Sequence, residues 1–361
     1  MIPVPGGEQL SATTKAKVRK GSLLNADMFR RFLNCSQVSD VARILKSTYY
    51  ADYLPADVET LHRDKLELHL MNAISSDVQS FFSSVGFKRR AFLKLWFERW
   101  DIQLIKSKVW DVHVGKTESN VKIEGYKELS LPDSSLTDKR KLLSSSNIDE
   151  IIASIKNEKL VTYMEESMKR PVGRRSPALA IGFALDMFQN NRVFDAVNSF
   201  SGEEKEGLLS LIGTYMDTMN ITSMYRGKKY FNMSDEITLS LAFYTRYRVN
   251  FEMLKTIASL PPERMWEPLA GTQYASLLPS EGGSESDEIS SVAGITRRMR
   301  FIQRANALKV FRMGGVGLHF VIAYFILREL EILSLSAAIE VVRYNYDRHK
   351  VEKLLALSSN F

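Results

Sequence analysis

Apolar residues along this chain recur at helical spacing and almost never alternate. "SQVSDVARILKST" sets Val38, Val41, Ala42 and Leu45 at i, i+3, i+4 and i+7, with Ser36 or Ser39 placed to cap the helix. "SNIDEIIASIKNEKL" does the same with Ile148, Ile151, Ile152 and Ile155. In "RRAFLKLWFERWDIQLIKSKV", Phe92, Leu93, Trp96, Phe97, Trp100 and Leu104 form one broad stripe, and "KEGLLSLIGTYMDTMNITSMY" has a matching stripe from Leu208 through Ile212 to Met219. Only "SNVKIEGYKELSL" suggests a short hairpin. The pattern therefore predicts an all-α fold.

"LHFVIAYFILRELEILSL" (318–335) is apolar enough to raise the question of a membrane span. Its unbroken apolar run, Phe320 to Leu327, is short, whereas a spanning helix needs about 20 apolar residues. At helical period Ile322, Ile326, Leu330 and Leu333 share a face flanked by Ala323 and Leu327, while Arg328 and Glu329 fall away from it. The expectation is a helix buried inside the protein.

The chain also repeats itself. "VARILKSTYYADYL", "IIASIKNEKLVTYM" and "MWEPLAGTQYASLL" align Val41, Ile151 and Met265, then Leu45, Ile155 and Leu269, then Leu54, Met164 and Leu278. Thr48 and Tyr50 recur as Thr272 and Tyr274. Each copy is followed by a longer helical pattern, in which Trp96, Ile212 and Ile326 align, as do Ile105, Ile221 and Leu335. In that frame an acid stands three times after the apolar stretch: Asp101, Asp217 and Glu331. Three related helical domains follow: 1–115, 137–230 and 231–361, with a linker over 116–136. "KRPVGRRSP" is expected as a loop, and so is the acidic, Gly- and Ser-rich stretch near 279–291.

Composition narrows the function classes. The 361 residues are 45% hydrophobic and 25% charged, ordinary for a globular protein. A net charge of +7 is a mild bias, far from a dedicated nucleic-acid binder. With Cys35 as the only cysteine there is no intramolecular disulfide and no cysteine metal cluster; it reads as a buried small hydrophobe. The N-terminal stretch has no basic head followed by an apolar run, so a cytoplasmic setting is expected.

Reactive chemistry finds little support. Gly115-Lys116-Thr117 has Trp110 where a phosphate-binding loop needs glycine. Gly314, Gly315 and Gly317 follow no strand and suit a turn before the last long helix. His62 and His69 lie about 10 Å apart along one helix, too far to share a metal by themselves. Arg297, Arg300 and Arg304 share a helix face, a solvated surface in the plain reading and, in the functional one, an electrostatic docking site for a partner or for the nearby acidic loop. A catalytic acid normally occurs once, beside a base or nucleophile. An acid occurring three times in equivalent frames points instead to a helix junction or an interface. A helical interaction scaffold, an all-helical enzyme using one of these acids and a basic nucleic-acid binder are the rival readings.

The residues carry a family resemblance as well. "TTKAKVRKGSLLNADMFRRFLNCSQVSDVARILKSTYYADYL", "FERWDIQLIKSKVW" and "AYFILRELEILSLSAAIE" are similar in order and spacing to the C subunit of the bacterial and archaeal V/A-type rotary ATPases, called the d subunit in the eukaryotic V-ATPase. The family often has asparagine and a base shortly after the acid. Here Gln103 and Ser334 replace the asparagine, Asn220 keeps it, and Lys106 is the clear base. The resemblance implies three helical domains in a funnel with pseudo-threefold symmetry, seated peripherally on the cytoplasmic face of the membrane. It implies the D and F subunits of the central shaft and the proteolipid rotor ring as partners, with no catalytic residues, cofactor, nucleic acid or membrane span. The candidate interface or junction residues are Asp101, Asp217, Glu331, Lys106, Asn220 and Arg226.

Overall fold

Three long helices organise the chain, and all three stop in the same way. The computed structural model describes residues 7–116, 136–242, 246–275 and 292–346. In order, the first helices are α1 (Gly7–Gly21), α2 (Ala26–Leu33), α3 (Val38–Leu45), α4 (Arg63–Phe82) and α5 (Phe87–His113). Next come α6 (Lys139–Ser144), α7 (Ile148–Ala153), α8 (Glu158–Lys169), α9 (Pro171–Arg175), α10 (Pro177–Val197) and α11 (Gly202–Phe231). The last are α12 (Asp235–Ser240), α13 (Phe251–Ser259), α14 (Val292–Val310) and α15 (Leu318–Tyr344). The described residues contain no β-strand, only an isolated bridge between Thr137 and Ile155. The fold class is all-α.

Helices α5, α11 and α15 each end on a residue in the left-handed region: Gly115 (φ +70°), Asn232 (φ +45°) and Asn345 (φ +50°). Glycine and asparagine tolerate that conformation best. It turns the next N–H back onto a carbonyl of the last turn: Lys116 onto Asp111 (2.8 Å), Met233 onto Gly227 (3.2 Å) and Tyr346 onto Val341 (3.1 Å). Helix starts are equally explicit. Asn25 caps α2 through the Met28 N–H, Asp138 caps α6 through Lys141, and Asn250 caps α13 through Met253.

The chain packs as two compact units, one made of Met1–Glu8 and Ala42–Ala196, the other of Gln9–Val41 and Val197–Phe361. In the first, α5 is the spine: Ile102, Ile105 and Val109 enter a core with Leu142, Ile151, Leu160, Met164, Ile181 and Leu185. In the second, α11 contributes Ile221, Met224 and Tyr225 to a core with Leu254, Ile257, Met265, Trp266, Leu269 and Tyr274. Each such side chain gains about 1.5–3 kcal/mol on leaving water. Two aligned pairs of the sequence repeat, Ile105 with Ile221 and Ile151 with Met265, thus take the same place in these two cores. Thr48 and Thr272 also act alike: each hydroxyl accepts the N–H two residues on, from Tyr50 and Tyr274, and donates to the carbonyl three residues back.

Helix α15 is buried along most of its length, packed against α2, α11 and α14. No helix among the described residues is long and apolar enough to cross a membrane. Its faces differ from the periodic expectation in two places. Arg328 does not fall away from the core but is 0% exposed, and Leu333, expected on the buried face, is 44% exposed. The helix is covered nearly all round, so a single-face reading of its period assigns these two residues wrongly. Neither Ser36 nor Ser39 caps α3; the Asp40 carboxylate reaches back to the Ser36 and Gln37 N–H groups, both at 3.2 Å. "KRPVGRRSP" is helical, because Pro171 and Pro177 sit at first-turn positions where proline is pre-set for a helix. Cys35 is buried and Gly315 (φ +83°) lies in the turn before α15. The expected hairpin and the acidic stretch lie outside the described residues.

Candidate functional site

Each of the three long helices carries one of the repeated acids, buried, and each acid accepts the backbone N–H of a segment that starts another helix. Asp101 of α5 accepts from Leu136, ahead of α6, at 2.9 Å. Asp217 of α11 accepts from Tyr247 (3.1 Å), Arg248 (2.7 Å) and Val249 (3.1 Å), ahead of α13. Glu331 of α15 accepts from Leu24, ahead of α2, far back in the chain. A buried N–H without an acceptor costs about 1–3 kcal/mol, so a carboxylate here fixes both the position and the direction of the incoming chain.

The three carboxylates differ in how fully they are satisfied. Asp217 has four donors, the fourth being the Tyr274 hydroxyl at 2.8 Å. Burial pushes its pKa up, opposed by the Arg248 N–H, the Tyr274 hydroxyl and the Tyr247 and Val249 N–H groups. Burial, reinforced by Asp217, likewise pushes the Tyr274 phenol up, keeping it a donor. Glu331 forms a buried ion pair with Arg328, whose guanidinium also donates to the Tyr324 hydroxyl and the Ser22 hydroxyl, each at 3.0 Å. Ser22 in turn donates to the Arg19 carbonyl, so the end of α1 and the start of α2 are both tied to α15.

Asp101 is the least satisfied. Its Oδ1 has no hydrogen-bond partner, and burial raises its pKa to about 6. The Leu136 N–H, Lys139 and Lys156 oppose that rise, while Glu98 adds to it. A carboxyl that binds its proton more tightly folded than unfolded contributes stability at low pH and loses it as pH rises through about 6. Asp101→Asn is therefore expected to match the wild type near pH 4 and to exceed it above pH 6, by up to about 3 kcal/mol. Urea denaturation at a series of pH values checks this; a variant less stable than wild type at pH 7 would contradict it.

The remaining candidates sit elsewhere. Lys106 pairs with Asp186 of α10 at 2.6 Å, and farther along the same two helices Gln189 donates to the Leu95 carbonyl and Arg192 pairs with Glu98. Lys106 thus belongs to a row clamping α10 onto α5. Asn220 is fully buried, one turn past Met216, and Arg226 is exposed. No group of three or more His, Cys, Asp or Glu poised for a metal occurs among the described residues. Helical period and repeat spacing did not point to Arg328 or to the donor segments. A signal for the latter exists: "LNADM" at Leu24–Met28 and "VNFEM" at Val249–Met253 share an apolar–Asn–x–acid–Met order.

Comparison with known proteins supplies the family. A family model described as ATP synthase (C/AC39) subunit matches residues 12–354. The chain belongs to the ATP synthase (C/AC39) subunit family. That span takes in all three acids and all three donor segments, from Leu24 to Glu331. Among C/AC39 relatives, the C subunit of the A-type ATP synthase of Methanobrevibacter smithii is 23% identical over 91% of this chain and 82% of its own. The protein of the same name from Methanosphaera stadtmanae is 21% identical over 90% of this chain and 81% of its own.

Proposed function

We propose that this chain is the non-catalytic adapter of the central rotor in a V/A-type ATPase, coupling the D and F subunits of the shaft to the proteolipid ring. The observation that carries the reading is the repeated carboxylate. Asp101, Asp217 and Glu331 each direct their oxygens to backbone N–H groups of another segment, and the last of them reaches the first helical set. Three related helical sets, each with such an acid, accord with the pseudo-threefold funnel at the cytoplasmic membrane face that the family resemblance implies. Torque transfer requires stiff joints, and a buried carboxylate holding main-chain donors is stiffer than an exposed ion pair. Membership of the C/AC39 family and the names of its two archaeal relatives support the same role.

Purification of the tagged full chain from its own membranes tests this. The ring and shaft proteins are expected with it, and deleting its gene should abolish ATP-driven ion transport while the detached head still hydrolyses ATP. Recovery without ring or shaft proteins, together with unchanged ion transport after deletion, would refute the role and favour an unrelated helical scaffold.

A further inference from the structure

Helix α14 shows two different faces. One is fastened to α11: Gln303 donates to the Thr218 hydroxyl (3.3 Å), and Asn306 donates to the Thr214 hydroxyl (3.0 Å) and the Ser210 carbonyl (2.6 Å). The other carries Arg297, Arg300 and Arg304 at i, i+3 and i+7. It is not the solvated surface the sequence suggests, since all three arginines are half-buried. Arg300 and Arg304 meet no carboxylate among the described residues. Burial alone depresses the pKa of both guanidiniums, with no acid acting against it. Taking a guanidinium partly out of water without a counter-charge is unfavourable.

We propose that Arg300 and Arg304 form a docking face for an acidic helix of another protein in the assembly, whose carboxylates complete the two ion pairs. The spacing defines the ligand: two planar forks one helical turn apart match Asp or Glu side chains spaced i, i+4 on a facing helix, each held bidentately. Both residues stand well past the start of α14, where backbone N–H groups are engaged in helical bonds. The face therefore lacks the converging N–H groups with which helix ends hold phosphate, which favours a protein carboxylate over a phosphate or lipid headgroup. The proposal rests on the reading that the chain works within a multisubunit assembly, and it adds a binding face that the three carboxylate junctions do not use.

The test uses the full chain in its own assembly. R304K places an amine where a zero-length carbodiimide can join it to a contacting carboxylate. Mass spectrometry is expected to map that link to an Asp or Glu of a neighbouring protein. In parallel, R300E/R304E should lower recovery of that neighbour at least tenfold at fixed salt, and R300Q/R304Q to a lesser degree. Circular dichroism of the isolated variants should match wild type, which separates lost docking from lost folding; if the charge reversal misfolds, the glutamine pair and the R304K cross-link still decide. Links confined to carboxylates of this chain, unchanged recovery in the folded variants, or binding to phosphatidylserine vesicles that the charge reversal abolishes would each overturn the proposal. Failure of the rotor reading looks different: the wild-type chain itself would then recover no ring or shaft proteins, whatever position 304 links to.

Discussion

Glu331→Gln is expected to lower unfolding free energy by about 3–5 kcal/mol, the range found when one partner of a buried ion pair is removed. Arg328 is 0% exposed, and Glu331 is the carboxylate paired with it. Glutamine keeps an acceptor for the Leu24 N–H but leaves the guanidinium charge uncompensated inside α15. The tyrosine and serine hydroxyls that also hold Arg328 cannot neutralise it. Urea denaturation of the full chain measures the loss. Removing both charges in R328M/E331Q should bring stability back to within about 1–2 kcal/mol of wild type, because a buried ion pair is seldom better than apolar packing of similar volume. A single variant as stable as wild type would show that Arg328 is not held as a buried charge.

Asp217 is the second large effect, and it arises without any ion pair. Its oxygens accept three consecutive N–H groups and the Tyr274 hydroxyl. Asp217→Ala strands all four donors and is expected to cost about 4 kcal/mol, somewhat less than four full desolvation penalties because the 247–249 segment can relax toward water. Asp217→Asn keeps one oxygen but sets an amide N–H against a backbone donor, for a loss of about 2 kcal/mol, and Tyr274→Phe removes one donor cleanly for about 1 kcal/mol. Thermal unfolding of the three variants gives the order; Tyr274→Phe exceeding Asp217→Ala would contradict this account.

The helical class, the repeat and the three in-frame acids were all legible in the sequence, because each is a matter of period and spacing. Helical period also showed that 318–335 is too interrupted to span a membrane. It misassigned Arg328 for a physical reason. A helix covered on every side has no polar face, and a charge on it is placed by its partner, here Glu331 one turn on, and not by the pattern of its neighbours. The donors were hidden for another reason. A backbone N–H looks the same in every residue type, so nothing in Leu24, Leu136 or Val249 announces the bond it makes; only the caps beside them, Asn25, Asp138 and Asn250, leave a trace. Arg300 and Arg304 were visible as a basic face, but their half-burial depends on packing that a linear pattern does not record.

The bonds reaching from the start of the chain to α15 bear on the order of synthesis. Thr13 accepts the Gly317 N–H at 2.9 Å, the Ser22 hydroxyl meets Arg328, and the Leu24 N–H meets Glu331. Residues 13–24 leave the ribosome more than 300 residues ahead of these partners. That segment must wait for them while the intervening chain is made, at a rate of about 5–20 residues per second. A nascent chain halted before α15 would hold α1 and α2 without these three bonds, so their fastening waits on the synthesis of that helix.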